Sequence, residues 1–135
     1  MLQQTLQLQR KSISALGYDT KQGETTVKLM TKEISKRAQE AFKVYQSKPL
    51  AEQEVVAKFF DPIGSWTWYL LNQDPENTDY LWGIVKGHEV EIGSFSLYEL
   101  ESLAQHRILG IERDLSFTSK NAQLVYDGLL EGKHF

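Results

Sequence analysis

The chain has 135 residues, 41% hydrophobic and 11% aromatic, with no cysteine and a formal net charge of −3, which is the size and make-up of one compact domain that buries a real core without disulfides. The composition excludes a disordered chain, a cysteine nucleophile, an iron–sulfur cluster and a cysteine zinc site. No stretch reaches the roughly twenty apolar residues of a membrane span, and MLQQTLQLQR lacks the basic-then-apolar order of a signal peptide, so a cytoplasmic protein without membrane contact is expected.

Charge is polarised along the chain. Residues 1–48 hold nine Lys/Arg against four Asp/Glu, and residues 49–135 hold six against fourteen. A basic first third could meet nucleic acid and an acidic remainder a basic protein surface, or the two could neutralise each other in the fold.

In chain order, Leu2, Leu6, Ile13 and Leu16 recur at near-helical spacing and Gly17 sits where a left-handed cap would end that helix. Asp19 to Glu24 reads as a polar loop. A second helix begins after Thr31, a suitable N-cap, with Ile34, Ala38, Ala41, Phe42 and Tyr45 on one face and Lys32, Lys36, Arg37 and Lys43 largely off it, until Pro49 closes the segment.

Period 3.6 then gives way to short β-branched and aromatic runs bounded by turn residues. The predicted strands are Val55–Phe60, Ser65–Asn72, Tyr80–Val85 and Glu89–Phe95, joined by Asp61-Pro62-Ile63-Gly64, a polar loop around Pro75, and Lys86-Gly87-His88. Ser96 and Glu99 make a capping box ahead of a helix through Leu103. Ile111–Phe117 reads as a fifth strand, and Ala122, Val125, Tyr126 and Leu129 mark a last helix. The expected fold is a single α+β domain: a four- to five-stranded antiparallel meander with helices mainly on one face, preceded by a helical extension (1–27) and followed by a C-terminal helix (118–135).

The segments Leu29-Met30-Thr31-Lys32-Glu33-Ile34, Lys58-Phe59-Phe60-Asp61-Pro62, Trp66-Thr67-Trp68-Tyr69, Leu81-Trp82-Gly83-Ile84-Val85, Ser96-Leu97-Tyr98-Glu99-Leu100 and Ile111-Glu112-Arg113-Asp114-Leu115 occur in an order that resembles domain of unknown function 2958. The resemblance covers residues 28 to 117 and brings no catalytic set. It implies a setting on plasmids, conjugative elements and phages, and by analogy an anti-CRISPR or antirestriction role.

The chemistry-bearing residues favour binding over catalysis. His88, His106 and His134 show no metal spacing, and HExxH, P-loop, GxGxxG and GxSxG motifs are absent, so no cofactor or metal is expected. Glu112 and Asp114 share one strand face with Arg113 opposite, a weak basis for an acid/base pair that would make a hydrolase, against solvent-facing acids and a structural arginine.

Two candidate binding surfaces remain. From Asp74 to Glu101 there are seven acids and one lysine. If their elements adjoin, Asp74, Glu76, Asp79, Glu89, Glu91 and Glu101 form an acidic patch that would occupy a basic surface of a nucleic-acid-processing complex, with Glu99 held in its capping box. The alternative is a single-stranded nucleic-acid binder that uses the basic helix (Lys32, Lys36, Arg37) with Trp66, Trp68 and Tyr69 as a stacking platform, where ordinary core packing is the competing role for the aromatics.

Overall fold

The computed structural model describes residues 18–21, 24–103 and 107–135. The predicted helix at Leu2–Leu16 and His106 lie outside the described residues. Tyr18–Lys21 (β1) and Glu24–Val27 (β2) pair antiparallel, Tyr18 opposite Val27, where the sequence suggested a loop. Thr residues in and beside these strands suit extended backbone despite the polar composition that reads as loop.

Helix α1 spans Lys32–Phe42 and starts as its cap residue dictates, Thr31 Oγ1 accepting from the Ile34 amide at 3.1 Å. Two 3₁₀ turns, Tyr45–Ser47 and Leu50–Glu52, lead to β3, Glu54–Val55. The strand expected to run unbroken from Val55 divides at Val56, because Val55 and Val56 are buried in different clusters, and β4 occupies Ala57–Phe60. The sheet continues through β5 (Thr67–Gln73), β6 (Tyr80–Lys86) and β7 (Val90–Ser96). Helix α2 is Leu97–Ser102, β8 is Glu112–Arg113, β9 is Lys120–Asn121 and α3 is Ala122–Leu130. The fifth strand stops at Arg113, not Phe117, because Asp114 turns the chain: its Oδ1 accepts from the Ser116 amide at 2.9 Å.

The main sheet is antiparallel in the order β7-β6-β5-β4-β8, a meander with β8 added beside β4, and β3 pairs separately with β9. It is apolar on both faces. Trp68 and Leu70 look one way, onto Leu29, Met30, Ala38 of α1 and Leu100 of α2. Tyr69 and Leu71 look the other way, onto Ala122, Val125 and Leu129 of α3. Among the described residues, two helices thus cover one face and one the other. A register shift between Leu70 and Asn72 inserts Leu71 into β5, a bulge that returns Gln73 to the α1 face opposite Leu81. Asn72 is fully buried by that shift, and neither of its amide atoms has a partner among the described residues.

Two positions fix close approaches. A Cβ on Gly83 would overlap the Tyr69 carbonyl, so β5 and β6 require glycine there. Gly132, with φ of 85°, ends α3 in the left-handed conformation, and the chain folds back so that the Phe135 ring covers Gly128 and its carbonyl accepts from Lys58 Nζ.

The β4–β5 turn is clamped by a forked pair, Arg107 to Asp61 at 2.9 and 3.2 Å. Burial alone would raise the Asp61 carboxyl, but Arg107 and the Ile63 and Gly64 amides outweigh it and hold its pKa below the ordinary 3.8. The stabilisation is complete above 3.8 and is lost as pH falls through the lowered folded value. Asp61→Asn is therefore expected to lower the denaturation midpoint at pH 7 and to flatten the fall of stability below pH 4, read from denaturant curves recorded at successive pH values.

Candidate functional site

Between α1 and the β5–β6 loop lies an open groove of ≈ 630 Å³. Its α1 wall carries Lys32, Ser35, Lys36, Gln39, Glu40 and Lys43, with Lys28 at the entrance to the helix. The opposite wall is Pro75, Thr78 and Leu97, and Met30 and Gln73 form the floor. Lys32, Lys36 and Lys43 recur at spacings of four and seven, which puts them along one side of a helix.

Each part is held by an identifiable bond. Arg113 reaches from β8 to bond the carbonyls of Lys28 and, at 3.3 Å, Leu29, tying the approach to α1 against the sheet. Gln73, only 2% exposed, donates to the Thr78 carbonyl at 2.7 Å and accepts from Gln39 Nε2 at 3.0 Å, so one buried amide joins β5, the loop and α1. The loop is shaped by Asp74 Oδ1 accepting from the Glu76 amide at 2.8 Å and by Tyr80 N–H donating to the Asn77 carbonyl at 2.9 Å.

Electrostatically the lining is four lysines against one glutamate, and Glu40 meets Lys43 only at 3.5 Å on the exposed side. The N-terminus of α1 adds positive potential at one end of the groove, partly offset by Glu33 in the first turn. The arrangement offers cations and amides around a short apolar floor, which suits holding an anionic ligand.

Of the basic candidates, Lys32 and Lys36 line the groove, while Arg37 pairs with Glu54 on a different side of α1. The aromatic candidates separate. Trp68 and Tyr69 are core residues, 8% and 2% exposed, on opposite faces of β5. Burial, with the Asp114 charge adding to it against a bond from Phe135, pushes the Tyr69 hydroxyl up to about 12. Only Trp66 is open, at 40%, stacked edge-on with His88 at 5.7 Å. It precedes β5, and the groove begins at Gln73 where β5 ends, about 20 Å away at the rise of an extended strand. Basic helix and aromatic platform are therefore not one surface.

The acids do not converge either. The β6–β7 register sets Tyr80 opposite Ser96 and Lys86 opposite Val90. Asp74, Glu76 and Asp79 consequently lie at one end of the sheet, beside α2 with Glu101, and Glu89 and Glu91 at the other. Asp79 is occupied: it accepts from the Tyr98 amide at 2.7 Å and from Ser96 Oγ at 2.9 Å, while Ser96 Oγ accepts from the Glu99 amide at 3.1 Å. Asp79, not Glu99, supplies the carboxylate of the cap. Asp114, expected to face water, pairs with Lys58 at 3.4 Å through the oxygen that Ser116 leaves open, so both its oxygens have structural partners.

Sequence reasoning missed Lys28, Lys43, Gln39 and Gln73. Lys43 and Gln39 were legible as α1 neighbours of Lys36; Gln73 and Lys28 come together only through the bulge and the Arg113 bond. Among the described residues, no helix is long and apolar enough to cross a membrane.

Trp68→Ala is expected to cost about 3–5 kcal/mol, as buried aromatic truncations do, and Trp66→Ala about 1 kcal/mol or less. Chemical denaturation of the two variants checks this, and equal costs would place Trp68 outside the core.

The model of a family described as a protein of unknown function (DUF2958) matches residues 29–129, which takes in the groove apart from Lys28, the whole five-stranded sheet and most of α3. No curated protein and no solved structure matches the chain.

Proposed function

The chain belongs to the DUF2958 family, a membership that assigns no activity, and from the groove's own chemistry we propose that it is a non-catalytic accessory protein of a mobile genetic element that binds single-stranded nucleic acid along α1. Lys28, Lys32, Lys36 and Lys43 take the phosphates, and Met30, Pro75 and Leu97 offer apolar surface to the bases. The observation that carries this reading is the ratio of four lysines to one glutamate around a groove whose floor is fixed by Gln73. The acidic β5–β6 loop beyond Pro75 confines the backbone to the α1 wall by repulsion.

A second reading is favoured by Glu89 and Glu91, which are exposed at the far end of the sheet near the open Trp66. There the chain would inhibit or modulate a host nucleic-acid-processing or defence complex by occupying its basic surface, as an anti-CRISPR or antirestriction protein does.

Fluorescence anisotropy with a labelled oligothymidylate separates the two. Binding should weaken steeply with salt, and reversing Lys32 and Lys36 to glutamate should lower affinity about tenfold or more and flatten the log–log salt slope by about 1.4. Reversing Glu89 and Glu91 to lysine should change little. Oligonucleotide binding that ignores Lys32 and Lys36, or none at low salt, sinks the proposal; capture of a basic nuclease lost on the glutamate reversal would establish the second reading instead.

A further inference from the structure

The outer strand of the sheet carries a separate inference. β7 is seven residues long, and each pairs in unbroken register with β6. Its two ends fix which way its peptide groups point. At one end Gly87 N–H donates to the Glu89 carbonyl at 3.0 Å; at the other, Leu97 N–H donates to the Asp79 carbonyl at 3.1 Å. Antiparallel pairs alternate between bonded and non-bonded, so the odd-numbered residues of β7 bond β6 and Val90, Ile92 and Ser94 direct N–H and C=O away from the sheet. Among the described residues no backbone group meets them.

Sheet edges are normally blunted by proline, a bulge, lysine or brevity. β7 has none of these: its sequence is Val-Glu-Ile-Gly-Ser-Phe-Ser, its register shows no shift, and Glu91 is its single charge. Glu91, Ile92 and Ser94 are exposed, Ile92 to 38%.

We propose that β7 pairs antiparallel with β7 of a second copy of this chain, across a two-fold axis at Ile92, joining two five-stranded sheets into one of ten. The strand complements itself only in certain registers. An axis at Glu91 would set two carboxylates face to face. An axis at Ile92 sets Glu91 against Gly93 of the second copy in a non-bonded pair, where side chains come closest, and brings the two Ile92 side chains together beside it. Gly93 has room: a Cβ there would meet nothing within 4 Å. A foreign strand would satisfy the same peptide groups, but the empty place opposite Glu91 is one this chain itself supplies.

Sedimentation equilibrium of the full chain tests the pairing. The wild type should show a concentration-dependent monomer–dimer equilibrium. Ile92→Pro removes a donor the sheet does not use, so it should abolish the dimer while leaving the circular dichroism spectrum intact. Gly93→Lys places an ammonium opposite Glu91 of the second copy and should tighten the dimer about two- to tenfold, and Gly93→Glu should weaken it by a similar factor. A wild type that stays monomeric at every concentration overturns the proposal, as does a dimer that both Gly93 variants shift in the same direction, or one that a folded Ile92→Pro protein retains.

Discussion

The structure depends on one strand being buried on both faces. β5 runs Thr-Trp-Tyr-Leu-Leu-Asn-Gln, and every residue after the first is buried. Trp68 and Leu70 anchor one cluster and Tyr69 and Leu71 the other, so a single seven-residue segment couples α1 and α2 on one side to α3 on the other. The coupling demands close strand approach, met by Gly83 against the Tyr69 carbonyl. It also demands that the strand's polar end be satisfied internally, which Gln73 is, while Asn72 finds no partner among the described residues.

The groove follows from that constraint. The bulge at Leu71 turns Gln73 toward α1, and the Gln39–Gln73–Thr78 chain of bonds then sets the distance between the lysine wall and the loop. Lysines on α1 could be no more than the wet side of an amphipathic helix. What distinguishes them is the concave surface they border, with Lys28 brought in from the preceding segment by Arg113. Arg37, similar in sequence but turned aside, is consumed by Glu54.

Local signals were legible in the sequence. Thr31 and Ser96 start helices as their chemistry requires, and the alternation of apolar residues on both sides of Trp68 marks a central strand. Long-range placement was not legible. Seven acids between Asp74 and Glu101 look like one patch in a linear reading, yet a hairpin of seven-residue strands carries Glu89 and Glu91 to the opposite end of the sheet from Asp79. Asp79 caps α2 from seventeen positions before Ser96, a partnership no local pattern announces. Trp66 and Trp68 differ by two residues and share a face, but one lies before the strand begins and stays open while the other is covered. The antiparallel pairing of β1 with β2 escaped because the composition of these strands is that of a loop.

The central claim, that the α1 groove is where the chain meets an anionic strand, is tested most directly by mapping backbone amide chemical shifts as an unlabelled single-stranded oligonucleotide is added to the isotope-labelled protein. The account predicts the largest changes from Lys28 through Lys43, with a second set at Gln73, Thr78 and Leu97 and little change at Trp66 or from His88 to Ile92. Changes concentrated at Trp66, His88 and Glu91, with α1 unmoved, would contradict it.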